Sequence, residues 1–300
     1  MKTDKAVDVQ KVSKKYGDFK VLDEISFDVL EGSVFGLIGP NGAGKTTLIK
    51  LLMGMVKPDK GVVKVVGNDL KYNGKLTHNI GYVPETCNLY GYMNLKEVIS
   101  FAKGFYEKWN SELVDRYIDF FQLPSNVKVD KFSKGMKVKA SLILAMAHDP
   151  DLLILDEPTS GLDPIARRDF LNVVMEEITL SGKTVIFSSH IIDDVERVAE
   201  KVVIIDKGRL IKVKNIDEIK TNEKIIRVVF QGKVEPEFFE YPGIEKVETK
   251  GSSYLITVSE NFDEIYQRCK DRPTFTIEII DQSLEEILID RGTKGGKQSR

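Results

Sequence analysis

Three stretches of the chain are apolar at nearly every position: Val34 to Ile38, Leu152 to Leu155 and Thr184 to Phe187. Short unbroken apolar runs of this kind read as strands buried on both faces. Elsewhere the pattern alternates. Val7 to Val12 and Ile25 to Leu30 read as strands, the second with period-two alternation. Gly61 to Val66 reads as a strand after the turn Pro58-Asp59-Lys60, and Val202 to Asp206 with Arg209 to Val213 reads as a hairpin about Lys207-Gly208. Between residues 86 and 150 the period lengthens to that of helices. Leu95 to Lys108 and Ser111 to Phe121 are predicted helices, broken at Pro124-Ser125-Asn126, and Met136, Ala140, Ile143, Leu144 and Ala147 recur at helical spacing behind Ser133. A further helix, Ala166 to Thr179, follows the turn Asp163-Pro164.

From about residue 220 the pattern shifts again. Lys224 to Phe230, a hairpin of Ile244 to Glu248 with Ser253 to Val258, a helix Asn261 to Lys270, a strand Thr274 to Ile280 and a helix Ser283 to Asp290 make a small α+β appendage. The Gly- and Lys-rich tail from Thr293 is expected to be disordered. The predicted organisation is therefore a domain over 1–219, with a helical subdomain at about 86–150, an accessory domain over 220–292, and a tail over 293–300.

Composition narrows the class. Apolar residues make up 42% of the chain and charged residues 30%, with a net charge of −2, so no global basic field argues for a nucleic-acid partner. No apolar stretch approaches the roughly 18–20 residues of a membrane span. The start, Met1-Lys-Thr-Asp-Lys, lacks the apolar core of a signal peptide. Cys87 and Cys269 lack metal-ligand spacing, and two thiols of this kind suit a reducing cytosol. His78 and His148 read as surface or satisfied core residues.

The candidate chemistry sits where the buried strands end. After Ile38 comes Gly39-Pro-Asn41-Gly42-Ala43-Gly44-Lys45-Thr46-Thr47, the GxxxxGK[ST] spacing of a phosphate-binding loop. Its glycines let successive N–H groups curl around a triphosphate, and the helix beginning near Lys45 adds its positive end. Lys45 is expected to reach the outer phosphates and the Thr46 hydroxyl to hold Mg²⁺. A second buried strand ends in Asp156-Glu157: Asp156 to bind Mg²⁺, Glu157 to polarise the attacking water. The third ends in His190, at the strand end where parallel sheets gather their sites, able to donate to a γ-phosphate.

With these residues the chain resembles the ATPase subunit of an ATP-binding cassette (ABC) transporter, over roughly residues 5 to 215. The resemblance implies the matching P-loop NTPase fold of ABC type, an α/β class with a mixed β core and a helical subdomain. Ser160-Gly161-Leu162-Asp163 matches the family's D-loop, and Tyr16 stands where an aromatic stacks on adenine. The family signature LSGGQ resembles Phe132-Ser133-Lys134-Gly135-Met136. By that likeness Ser133 and Gly135, at a helix N-terminus, contact the γ-phosphate held by a second ABC ATPase subunit, in a homodimer or heterodimer. Lys134 and Met136 depart from the family pattern. Lys134 either adds positive charge near the triphosphate or is a solvated lysine in the basic run from Lys131 to Lys139. Both substitutions resemble the branch whose membrane partners are of the ABC-2 type, many of them exporters. The Q-loop glutamine is replaced by Glu85, expected to act as metal sensor and coupling switch.

The resemblance implies an ATP- and Mg²⁺-dependent ATPase on the cytoplasmic face of a membrane, working with separate transmembrane permease subunits and no nucleic acid. Tyr90 and Tyr92 either pack a core or line the groove for such a subunit; most of the aromatics around them are expected in the core. The alternative is a soluble ABC-type ATPase acting on ribosomes, DNA or protein assembly. A catalytically weak cassette that mainly gates or senses is a third reading, motivated by Glu85 and the altered signature.

Overall fold

The computed structural model describes residues 5–70 and 79–281. His78, the expected final helix from Ser283 and the expected disordered tail lie outside the described residues. The chain divides into two compact units, Met1–Val213 and Lys214–Arg300.

The first unit opens with two long strands, β1 (Lys5–Tyr16) and β2 (Phe19–Leu30), paired antiparallel from Lys5↔Leu30 to Tyr16↔Phe19. Both run longer than their alternation suggests, because register shifts along the ladder break the period of two while the pairing continues. The buried strand β3 (Val34–Ile38) leads into α1 (Lys45–Leu52). β4 (Lys60–Val65) pairs with β1, and β5 (Asn68–Asp69) pairs with β4, completing a sheet of order β2-β1-β4-β5.

β6 (Ile80–Val83) then enters the main sheet. The helical segment follows as α2 (Leu95–Lys103), α3 (Ser111–Phe120) and α4 (Lys134–Met146). Asn94 starts α2 with a reciprocal cap: Glu97 N–H donates to Asn94 Oδ1 at 3.0 Å and Asn94 N–H to Glu97 Oε2 at 2.8 Å. The helix stops at Lys103, short of the expected Lys108, because Gly104 is a poor helix former and the chain turns there. β7 (Leu152–Asp156), α5 (Pro164–Ser181), β8 (Thr184–Ser189), α6 (Ile192–Val198), β9 (Lys201–Asp206) and β10 (Arg209–Asn215) complete the sequence. α5 begins two residues ahead of the expected start, since Asp163 Oδ1 accepts from the N–H groups of Ile165 and Ala166 at 3.0 and 2.9 Å and Pro164 suits a first helical turn.

The main sheet has the order β10-β9-β3-β8-β7-β6, and the pairs β9–β3, β3–β8, β8–β7 and β7–β6 are all parallel. Every strand that ends in candidate chemistry therefore ends at the same edge. Gly36 sits mid-strand in β3 because α6 crosses there: a Cβ at that position would collide with the Val195 side chain. The core holds α1 between the two sheets, with Leu48, Ile49, Leu51 and Leu52 each 0% exposed, worth on the order of 1.5–3 kcal/mol apiece.

The second unit contains α7 (Ile216–Asn222), β11 (Lys224–Phe230), β12 (Ile244–Lys250), β13 (Ser253–Val258), α8 (Phe262–Lys270) and β14 (Thr274–Asp281). Its antiparallel sheet, β12-β13-β11-β14, shares a core with α8 through Ile226, Val228, Phe230, Ile256 and Ile265.

Candidate active site

The loop between β3 and α1 takes its shape from two glycines in left-handed conformations, Gly42 at φ 81° and Gly44 at φ 109°. Nothing lies within 4 Å of a Cβ built at Gly42, so its requirement is purely conformational. Gly44 also needs the space, since a Cβ would come within 2.8 Å of the Leu22 side chain. Asn41 and Gly42 are exposed at the crest, whereas Gly39, Ala43 and Gly44 are buried and Thr46 and Thr47 are half-buried. The loop is braced from behind by Gly208, whose N–H donates to Ala43 O at 3.0 Å.

Lys45 is 5% exposed. Its Nζ donates to Gly39 O at 2.6 Å and Pro40 O at 3.3 Å, and lies 3.0 Å from Glu157 Oε1. Glu157, also 5% exposed, has the left-handed φ of 49°, uncommon for a side-chain-bearing residue. That conformation is fastened by its own N–H, which donates to Ser188 Oγ at 3.0 Å. It turns the carboxylate off the strand direction, so that Oε1 faces Lys45 and Oε2 accepts from His190 N–H at 3.2 Å and meets His190 Nδ1 at 2.6 Å. The His190 side chain is 40% exposed, which leaves the ring accessible on its far side.

Asp156 is 1% exposed and accepts from Ser188 Oγ at 2.8 Å. Burial holds its pKa above the ordinary aspartate range; the Ser188 and Thr46 hydroxyls oppose that, and the charges of Glu157 and Glu85 add to it. A buried carboxylate kept costly by burial and neighbouring acids, with a threonine hydroxyl beside it, is an all-oxygen donor set that fits a hard divalent cation. Among the described residues no three His, Cys, Asp or Glu side chains gather around a common metal position, so such an ion would also need substrate oxygens.

The structure thus brings Lys45, Thr46, Asp156, Glu157 and His190 together. A second grouping contains Ser133, Gly135 and the 160–163 turn. Ser133 caps α4, accepting from Met136 N–H at 3.2 Å, and a Cβ at Gly135 would touch Ala166 and Leu162 at 3.4 and 3.8 Å. Asp163 is exposed and spends Oδ1 on the α5 cap, which holds its pKa down, chiefly through the Ala166 N–H. Glu85 is exposed beyond β6 and faces a cavity of about 400 Å³ lined also by Cys87, Lys134 and Lys137. Tyr16 stands at the end of the β1–β2 hairpin, 49% exposed, with Lys14 Nζ 5.6 Å from its ring centre.

Two elements of the site escaped sequence reasoning. Ser188 supports both acidic residues, and its signal is a pair of serines at the end of an otherwise apolar strand. Asp194, 0% exposed, accepts from Thr159 Oγ1 at 2.6 Å and from Arg167 Nε, tying α6 to the turn that follows Glu157. The aromatic expectation also needs correcting. Tyr117 and Phe121 are buried, but Phe101, Phe105 and Phe120, expected in the core, are exposed, because α2 and α3 are short and leave these rings at their margins. Tyr90 and Tyr92, for which core and groove both stood open, are exposed as well, with Tyr90 edge-on to Phe101 at 5.3 Å and Phe101 to Phe105 at 5.0 Å. His148 is buried, with Nε2 3.3 Å from Ile80 O and its ring stacked 4.1 Å from that of Tyr106.

Comparison with known proteins converges on one family. The ABC transporter family profile matches residues 22–160. The ABC transporter ATP-binding protein YdbJ of Bacillus subtilis is 31% identical over 294 residues, 95% of this chain and 94% of that protein. The Nod factor export ATP-binding protein I of Neorhizobium galegae is 31% identical over 95% of this chain and 84% of its own length. Among solved structures, the ATP binding subunit of an ABC transporter superposes with a TM-score of 0.65 at 32% identity, covering 72% of this chain and 92% of that one.

Proposed function

The chain belongs to the ABC transporter ATP-binding proteins, and from that premise we propose that it powers an export-type membrane transporter by closing and reopening against a second ATPase subunit. Binding and hydrolysis of ATP are the family's activity. One relative supports the export direction by name, the Nod factor export ATP-binding protein I. The probable multidrug ABC transporter ATP-binding protein YbhF of Escherichia coli, 34% identical over 71% of this chain and 38% of its own length, is named for multidrug transport without a direction.

The observation that carries the reading is the shared placement of Lys45, Asp156, Glu157 and His190 at one sheet edge. The backbone N–H groups of Gly39, Asn41, Gly42, Gly44, Lys45, Thr46 and Thr47 are offered to the phosphates, Ala43 N–H would leave Pro40 O, to which it donates at 3.1 Å, and Lys45 exchanges its loop carbonyls for the outer phosphate oxygens. Tyr16 offers an exposed ring for adenine. Thr46, Asp156 and Glu85 are the residues to hold Mg²⁺, whose chemistry when bound is to neutralise charge on the β- and γ-phosphates. Glu157 accepts a proton from the attacking water, and His190, fixed through Nδ1, presents its other edge to the γ-phosphate. Ser133, Gly135 and Asp163 serve the nucleotide bound by the partner subunit.

Among the described residues no helix is long and apolar enough to cross a membrane. In this reading separate permease subunits form the transport path and the chain acts peripherally on the cytoplasmic face. A cavity of about 710 Å³ lined by Met53, Tyr82, Tyr90, Phe101, Phe105 and Leu144 offers an apolar seat for such a subunit. No nucleic acid is expected. Copurification of tagged protein from detergent-solubilised membranes, assayed for Mg²⁺-dependent ATPase activity, tests the reading. A polytopic protein at near-equal stoichiometry is the expected result; recovery with ribosomes or DNA would overturn it.

A further inference from the structure

Ser188 is 0% exposed near the end of β8, a strand buried at every position. A hydroxyl in such a strand is costly unless its hydrogen bonds are made. They are made at one spot. Ser188 Oγ and Ser188 O accept the same Glu157 N–H, at 3.0 and 3.2 Å. With Oγ accepting there, its one proton is committed to Asp156 Oδ1, at 2.8 Å. Asp156 lies opposite Ser188 in the parallel ladder, and Glu157 is where the chain leaves β7, with φ 49°. A side-chain-bearing residue keeps that conformation only where its surroundings over-determine it. Two residues on, His190 holds the other end of Glu157: its N–H donates to Oε2 at 3.2 Å, and Nδ1 lies 2.6 Å from the same oxygen. That grip has its own anchor, since Ser189 Oγ accepts from Ile191 N–H at 2.9 Å and sets the turn in which His190 stands. One strand end therefore grips Glu157 at its backbone and at its carboxylate.

We propose that Ser188 is a positioning residue for hydrolysis: its hydroxyl clamps the Glu157 backbone in the left-handed conformation and so keeps the carboxylate between Lys45 and His190, where it meets the attacking water. Without the hydroxyl, Glu157 N–H retains only the longer bond to Ser188 O. The residue then relaxes toward the extended conformation of the strand before it, which carries the carboxylate away from both partners. Asp156 loses one hydrogen bond but keeps its place in the β7–β8 ladder. The effect of Ser188 therefore falls on the base and not on nucleotide binding. The clamp rests on the reading of Glu157 as that base.

The test is a double-mutant cycle on the full-length protein with two readouts: turnover at saturating ATP across a Mg²⁺ titration, and ATP affinity by calorimetry in EDTA. In Ser188→Ala turnover is expected to fall about tenfold or more, a part of the roughly 10²–10⁴ that a placed base supplies. ATP should bind at least as tightly as to the wild type, because a displaced Glu157 no longer competes for Lys45. Ser188→Thr, which keeps the hydroxyl, should restore turnover. In the Glu157→Gln background Ser188→Ala should cause no further loss. Ser188→Cys, with a weakly hydrogen-bonding thiol of similar size, carries the same comparison if Ser188→Ala does not fold. Unchanged turnover would overturn the clamp, as would an equal loss in the Glu157→Gln background or ATP binding that weakens in step with turnover. Recovery at high Mg²⁺ would also overturn it, by routing the effect through Asp156. Wild-type turnover in Glu157→Gln alone would overturn the base itself, a failure told apart because Ser188 is intact in that variant.

Discussion

Glu157 is held between two partners that must both be free to act on substrate. Lys45 spends its ammonium on Glu157 and two loop carbonyls, so ATP has to compete with acceptors already in place. Replacing Glu157 with glutamine removes the charged competitor while keeping the shape. ATP is expected to bind on the order of tenfold more tightly, the equivalent of one charge-assisted hydrogen bond of about 1.5 kcal/mol. Turnover is expected to fall by about 10² or more with loss of the base. Equilibrium binding and steady-state ATPase assays check both, and unchanged turnover would remove Glu157 from the chemistry. Asp156 gives the complementary case. Its pKa is raised by burial, so the ionised form costs the folded state stability as pH rises above the ordinary aspartate range, and that cost is absent below it. Asp156→Asn keeps acceptors for Ser188 and Thr46 but removes the charge. It is expected to raise the melting temperature of the metal-free protein at neutral pH, and to abolish the further increment that Mg²⁺ adds in the presence of ATP. Thermal unfolding with and without the metal reads both signs.

At the scale of elements, α4 carries two duties on one residue. Ser133 Oγ accepts from Met136 N–H, which makes it a helix cap whatever it does for a nucleotide. Ser133→Ala should cost about 1 kcal/mol of stability along with activity, so that variant alone cannot separate the duties. Ser133→Asp does. Aspartate caps as well as serine, so the melting temperature should hold, while its negative charge opposes a γ-phosphate and ATPase activity should drop sharply. Retained activity in Ser133→Asp would confine the residue to capping. The same distinction explains what could be read along the chain and what could not. Runs such as Leu152 to Leu155 and motifs such as Gly39 to Thr47 were legible because burial and phosphate geometry each allow few residue types at those positions. The Ser188 support and the Asp194 tie to Thr159 and Arg167 were not, since they join residues far apart in sequence through side chains common anywhere. Exposed Phe101, Phe105 and Phe120 misled for a related reason: helical spacing identifies a face but not what covers it.

On the scale of the whole molecule, the two compact units have separate cores. One gathers around α1 between two sheets; the other gathers Ile226, Val228, Phe230, Ile256 and Ile265 against a different sheet. All the candidate nucleotide residues, from Tyr16 to His190, lie in the first unit. A ligand stabilises only the unit whose folded state binds it, by RT ln(1 + [L]/Kd), about 2.7 kcal/mol at a hundredfold excess over Kd. For a unit of this size that corresponds to a shift of about 5–10 °C. Differential scanning calorimetry should therefore resolve two transitions, of which ATP moves one and leaves the other in place. Glu157→Gln should move the same transition further, in proportion to its tighter binding, and Asp156→Asn should lose the Mg²⁺-dependent part. A single transition displaced as a block would show that the two cores unfold as one cooperative unit, and that nucleotide binding stabilises the accessory unit as strongly as the cassette that holds the nucleotide.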